Sequence, residues 1–309
     1  MKNKMTVISL IVIGIILFFA FLVPSFYPYG YEQQIRGAEN LSPFEYSAME
    51  RERIASGERV FPHVLGTDRL GRDFAIRVMM GSRISLIVGL VAAVIIFAIG
   101  STLGAISAFY GGWVDALIMR TVDVIYTVPD ILFILLLSVA LEAPLKKLSR
   151  VSGFGWMQKV GPNMISIFVV FALLYWAGMA RMVRGQILVL KENEYVTASR
   201  ALGASSGHII RKHLLANCVG TLITTTTLQI PASIFTESFL SFLGLGVAAP
   251  MPSLGSLASN AISGFRSYPH MLFVPAILIS IIILSFNLLG DGLRDALDPK
   301  QNRKGKEQK

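Results

Sequence analysis

The run ISLIVGLVAAVIIFAIGSTLGAISAF, Ile84–Phe109, decides the fold class: it holds 26 residues without one aspartate, glutamate, lysine or arginine. A helix needs about 20 mostly apolar residues to cross the hydrocarbon core of a bilayer. A helix on the surface of a soluble domain is apolar on one face only. Working outward, five further stretches share this character. They are residues 6–23, ending at Pro24; 117–141, interrupted at Pro129-Asp130; 164–180; 217–243, containing Pro231; and 271–289. The predicted fold class is all-α, a polytopic integral membrane protein with six transmembrane helices.

Composition agrees. Of 309 residues, 53% are hydrophobic and 15% charged, against about 25% charged in soluble domains. Mean hydropathy is +0.61. A single soluble globule, a disordered chain and a fibrous repeat are excluded. One cysteine, Cys218, leaves no internal disulfide or Cys-clustered metal site. The four histidines are scattered and form no H-E-x-x-H, so no metal site is expected. The net charge of +9 fits the basic flanks of membrane helices, and no nucleic-acid partner is expected. The first stretch follows Lys2 and Lys4, as a signal peptide would. It is longer than a typical signal core and has no A-x-A site, so it reads as an uncleaved anchor.

With six spans both termini share a side. The long loop after the first span balances eight basic residues with eight acids. Long loops cross a membrane largely regardless of charge, so the short loops and tails decide, and they place both termini in the cytoplasm. The expected organisation is an anchor over 1–26, an external loop over 27–80, a membrane core over 81–298 with an inner elbow at 186–216, and a basic tail over 299–309. The external loop is either partly helical around 43–56 or a solvated linker. The loop at 142–162 is unexplained, and 244–270 is too broken to span simply, which suits a shielded re-entrant segment.

The elbow reads EYVTASRALGASSGHIIRKHLLAN, Glu194–Asn217. Ala198, Ala201 and Leu202 fall on one helical face. Gly203 stands where a helix stops, because glycine tolerates the left-handed conformation. Ser205 or Ser206 is placed to cap a second helix, whose apolar side is Ile209, Ile210 and Leu214. The result is a helix–glycine–helix unit, read either as a connector or as a docking surface.

This elbow resembles the E-A-A-x3-G coupling segment of permease subunits in ABC importers. Thr197-Ala198-Ser199 occupy the E-A-A positions and Gly203 the glycine. Thr197 replaces the glutamate, and Ala216 stands where relatives have proline. Glu194, three residues earlier, is a substitute for that carboxylate. Leu65–Asp73, LGTDRLGRD, resembles the L-G-T-D-x-x-G-R-D signature of the dipeptide, oligopeptide and nickel importers. Asn287–Pro299, NLLGDGLRDALDP, resembles the terminal signature of the second permease subunit of that branch.

The resemblance implies an ABC importer type-1 transmembrane domain that carries dipeptides or oligopeptides, or alternatively nickel or another small solute. It implies a homologous second permease, one or two kinds of ABC ATPase subunit holding ATP and magnesium, an external substrate-binding protein, and a lipid surround. This chain carries no cofactor and no G-x-x-x-x-G-K-[ST] phosphate loop, so it is not expected to be an enzyme. The elbow residues carried over are Glu194, Thr197, Ala198, Arg200, Ala201, Leu202, Gly203 and Ala204.

Charges inside spans usually face a bundle interior or a wet cavity, since a charge at the bilayer centre costs about 2.5–3.5 kcal/mol or more. Asp130 and Glu237 are therefore candidates for the translocation path, unless both lie near the interface. The threonines Thr224–Thr227 are expected to hydrogen-bond their own helix, and Gly100 with Gly104 forms a GxxxG packing signal. Two rivals stand beside this reading. Gly203-Ala204-Ser205-Ser206-Gly207 matches the G-x-S-x-G of serine hydrolases, with His208 and His213 nearby, but that elbow needs a preceding strand. A secondary transporter usually has two related halves, and none is visible.

Overall fold

The computed structural model describes residues 2–151, 157, 160–247 and 250–297, without the side chains of 2, 3 and 130. The basic tail, Asp298-Pro299 of the last signature and part of the 142–162 loop lie outside the described residues. The architecture is helical throughout. Among the described residues the β pairing is one isolated bridge, Thr67 with Asp73.

The chain opens with α1 (Lys2–Leu17), which continues as a π-helical turn and a 3₁₀ turn around Pro24. A folded segment follows, carrying α2 (Ala48–Ala55). Helix α3 (Phe74–Tyr110) is 37 residues long, or about 55 Å at 1.5 Å per residue. It begins ten residues before the apolar run. The charges that hide this start, Arg77 and Arg83, are tucked against backbone carbonyls: Arg77 Nη1 donates to Tyr31 O at 3.2 Å and Arg83 Nε to Ala20 O at 2.8 Å. Asp73 caps the helix by accepting from the Ile76 N–H at 3.0 Å. The polar segment therefore ends at Asp73, not at residue 80.

The third apolar stretch is two helices, α4 (Gly112–Thr127) and α5 (Asp130–Leu148), bent by 97° at Val128-Pro129, one residue before the anticipated Pro129-Asp130 interruption. Helix α5 takes up the first part of the unexplained 142–162 loop. The fourth is α6 (Pro162–Val170) running through a π-helical turn into α7 (Trp176–Leu190). The elbow comprises α8 (Glu194–Ala201) and the short α9 (Ser206–His208), which continues as a π-helical Ile209–Leu215. Then come α10 (Val219–Phe242), the short α11 (Leu254–Ala261) and α12 (His270–Leu297). Among the described residues four helices are long and apolar enough to cross a membrane, and the count is six if each bent pair is one span.

Helix α3 is the axis of the packing, and small residues set its contacts. A Cβ on Gly100 would lie 2.5 Å from Met179 Cβ, and one on Gly104 2.5 Å from Ala180 O, so the GxxxG presses α3 onto α7. Toward the other end Gly89 meets Ile234 of α10, and Gly81 meets the start of α11. Van der Waals contact of this closeness replaces the hydrophobic drive that lipid does not supply. On the outside, Phe273, Ile277, Ile281 and Leu284 of α12 form an exposed apolar stripe. A stripe of that length needs lipid or another apolar surface over it.

The ends sort by geometry. Thr6 of α1 touches Gly292, and Leu297 touches Gly220 just past the elbow. Both ends of the bundle's chain thus lie with the elbow. The segment 26–73 sits at the opposite end of α3.

Candidate functional site

The elbow is built around one backbone conformation. Asn193, extended at φ −73° and ψ 147°, leads into α8. The helix closes where Leu202 N–H donates to Ala198 O at 3.0 Å, Gly203 N–H to Arg200 O at 3.0 Å and Ala204 N–H to Ser199 O at 3.1 Å. Gly203 has φ +82°, and a Cβ there would meet nothing within 4 Å. The requirement for glycine is therefore conformational, not a matter of space. Ser205 occupies the N-cap position of the second limb, yet its side chain makes no capping bond. This corrects the expected cap; the limb is instead held by burial of Ile209 and Leu214.

One side of the elbow is anchored. The Arg200 guanidinium lies 5.0 Å over the Phe109 ring, and Lys191 Nζ donates to Ala108 O at 3.1 Å. Asn217 Nδ2 donates to the Tyr195 hydroxyl at 3.3 Å. Nearby, Arg184 of α7 grips Asp115 of α4 through two bonds of 2.5 and 2.6 Å, and Ser107 of α3 donates to the same carboxylate. A planar guanidinium fork on a carboxylate fixes orientation as well as distance. Three helices are thus pinned beside the elbow, and nothing in the sequence spacing points to this pair.

The other side is open. Glu194, Thr197, Ala198, Ala201, Leu202 and Gly203 are exposed, and Ala204 is partly so. Leu202 is 89% exposed. Ala198, Ala201 and Leu202 do share a face, but it points away from the core. A large apolar side chain framed by small residues on a stiff turn has the form of a docking point.

Glu237 has no accessible surface. Its carboxylate accepts from Ser241 Oγ at 2.7 Å, Ser85 Oγ at 2.8 Å and Ser238 Oγ at 3.3 Å. The serines are themselves held: Val247 N–H donates to Ser241 Oγ at 3.0 Å and Leu254 N–H to Ser85 Oγ at 3.4 Å. Glu237 therefore occupies a buried seam joining α3, α10 and α11. Its serine partners lie 1, 4 and 152 residues away, so sequence shows the costly charge but not what satisfies it. Asp130 opens α5, and its side chain lies outside the described residues. Thr224, Thr226 and Thr227 each hydrogen-bond a carbonyl of their own helix, as expected.

At the far end, the segment 26–73 is no solvated linker. His63 is fully buried, with Nδ1 2.7 Å from Asp73 Oδ2 and Nε2 3.1 Å from Glu50 Oε1. The Tyr29 ring stacks on it at 4.5 Å. Burial alone would lower the imidazole pKa, but the bond and charge of Asp73, then those of Glu50, outweigh it and raise it. Burial would raise Glu50, but its bonds from Ser47 and the His63 charge hold it below the usual value. The Leu65–Asp73 signature shapes this region: Gly66 at φ +73° passes against Leu41 O and Gly71 at φ +68° against Ile35 O, where any side chain would collide.

The hydrolase alternative fails here. A helix precedes the Ser205 turn, and among the described residues the Ser205 hydroxyl bonds neither His208 nor His213, so no nucleophile–base pair exists.

Residues 100–303 match the family described as the binding-protein-dependent transport system inner membrane component. Residues 1–43 match the N-terminal TM domain of oligopeptide transport permease C. Similar proteins include the oligopeptide transport system permease protein OppC of Bacillus subtilis, 40% identical over 97% of this chain and 87% of that protein. The dipeptide transport system permease protein DppC of the same organism is 40% identical over 98% and 84%. The OppC of Escherichia coli K12 is 36% identical over 97% and 88%.

Proposed function

This chain belongs to the binding-protein-dependent transport inner membrane family, and from that premise we propose that it is one permease subunit of an ATP-driven peptide importer. A permease of this family is a multi-pass membrane protein and not itself an enzyme. The names of the similar proteins, oligopeptide and dipeptide transport permeases, support dipeptides or oligopeptides as cargo. ATP hydrolysis then belongs to separate ATPase subunits with their magnesium. A second, homologous permease completes the path, and an external binding protein delivers the peptide. Both termini and the elbow face the cytoplasm in this reading, with 26–73 outside.

The observation that carries the reading is the elbow's two-sidedness. One side is locked to the end of α3 and stands beside the Arg184–Asp115 pair; the other presents Leu202 and small residues to a partner. A stiff contact of this kind transmits rigid-body motion from closing ATPases to the spans, and a loose linker would not. Uptake in a deletion strain tests it. Restoring the gene should restore uptake of peptides of defined length, should need ATP, and should leave nickel uptake unchanged. Nickel restored without peptides would assign the cargo to the alternative.

A further inference from the structure

Where the polar segment meets the start of α3, a pocket of about 210 Å³ opens among Asp68, Arg69, Arg72, Arg77, Asn260 and Ser267. Its electrostatics are unbalanced. Among the described residues Asp68 is the single acid on the lining, and it is already committed. Its Oδ1 accepts from the N–H groups of Leu70 and Arg72 at 2.8 and 3.1 Å, and its Oδ2 from Arg72 Nε at 2.8 Å. Three guanidinium groups thus face one carboxylate.

Arg77 is the telling member. It is 3% exposed. Its Nη1 donates to Tyr31 O, while its Nε stands 3.5 Å from Asp68 Oδ2 and makes no hydrogen bond among the described residues. Asp68 is thus shared between Arg72 and Arg77, and the wall keeps an excess of positive charge that an incoming anion would offset. The planar fork suits a carboxylate in particular. Size narrows the source. Sites for free drug-sized molecules run to about 300–1,000 Å³, so this pocket is too small to enclose an oligopeptide and has the size of a single side chain.

We propose that this pocket receives a carboxylate side chain of the external substrate-binding protein when it docks, with Arg77 as the buried partner of that carboxylate and exposed Arg69 as the rim charge that guides entry. The proposal rests on the permease reading. It adds a docking point fixed jointly to the 26–73 segment, α3, α11 and the start of α12, so that docking would bear on all four.

The test uses the assembled permease–ATPase complex in sealed proteoliposomes with its purified binding protein. Arg77→Gln should weaken binding-protein affinity at least about tenfold. Arg69→Gln should slow association about two- to threefold at low salt and change it little at high salt. Should the Arg77 variant fail to assemble, the exposed Arg69→Gln and Arg69→Glu variants decide the matter. Unchanged affinity and association rate in the assembled variants overturn the proposal. So does a second pattern, in which binding-protein affinity holds while uptake of free-acid peptides falls and uptake of C-terminally amidated peptides does not; that would give the pocket to the cargo. Wild-type uptake in the same preparation separates the two readings, since without ATP-driven peptide uptake the permease assignment itself fails.

Discussion

Replacing Gly203 isolates the elbow's geometry from its contacts. With φ at +82° and no atom within 4 Å of where a Cβ would stand, alanine would meet no clash, only the left-handed backbone cost of about 1–2 kcal/mol. Valine, branched at Cβ, costs more. The eight-residue α8 has little helical stability of its own to absorb this. A cost of about 1–2 kcal/mol shifts the equilibrium about 5–30-fold away from the turned conformation, and apparent affinity for a partner that needs the turn falls by up to that factor. Gly203→Ala should therefore reduce co-purified ATPase and uptake, and Gly203→Val should nearly abolish both, while the chain still inserts and pairs. Gly57 is the control. It has φ +91° and equally empty surroundings, so Gly57→Val carries the same backbone cost in the 26–73 segment and should leave ATPase co-purification intact. Wild-type behaviour of Gly203→Val, or equal loss of ATPase from both variants, would refute the reasoning.

Three further outcomes follow from the geometry. Because His63 is raised above its ordinary 6.5, its stabilising contribution is complete below that pH and is lost as pH rises through the raised value. Glu50 is lowered below its ordinary 4.5, so its contribution is present above that pH and is lost as pH falls through the lowered value. Tyr29, pushed up to about 12 chiefly by burial, stays a phenol in between. Hydrogen-exchange protection in 26–73, measured against the intrinsic rate at each pH, should be highest between the two limits, and His63→Gln should remove the alkaline one. Glu237→Gln gives two serine hydroxyls an amide NH₂ where they had an acceptor, which should cost about 1–3 kcal/mol and lower the thermal midpoint of the purified complex; an unchanged midpoint would deny the seam its role. Ser56→Cys should react with an impermeant thiol reagent on intact cells and Ser205→Cys only after permeabilisation, both in a Cys218→Ser background; the reverse would invert the orientation.

Some of this is legible in the sequence for plain reasons. Apolar runs mark spans because lipid tolerates little else, and Gly203 marks a turn because other residues resist positive φ. The start of α3 is hidden, since Arg77 and Arg83 look like loop charges until Tyr31 and Ala20 supply their carbonyls. The cluster of Glu50, His63 and Asp73 follows no helical or strand period; only the folded segment brings the three together. Ser205 has the residue type of a cap, but the π-helical limb after it turns on buried Ile209 and Leu214 instead.

The central claim is that the open side of the elbow is where an ATPase docks. The most direct measurement places a photo-crosslinking amino acid at Leu202, 89% exposed in the isolated chain, in the assembled complex. The account predicts one dominant adduct, to an ABC ATPase subunit, that weakens in Gly203→Val. An adduct to lipid alone, or none in a complex that still takes up peptide, would contradict it.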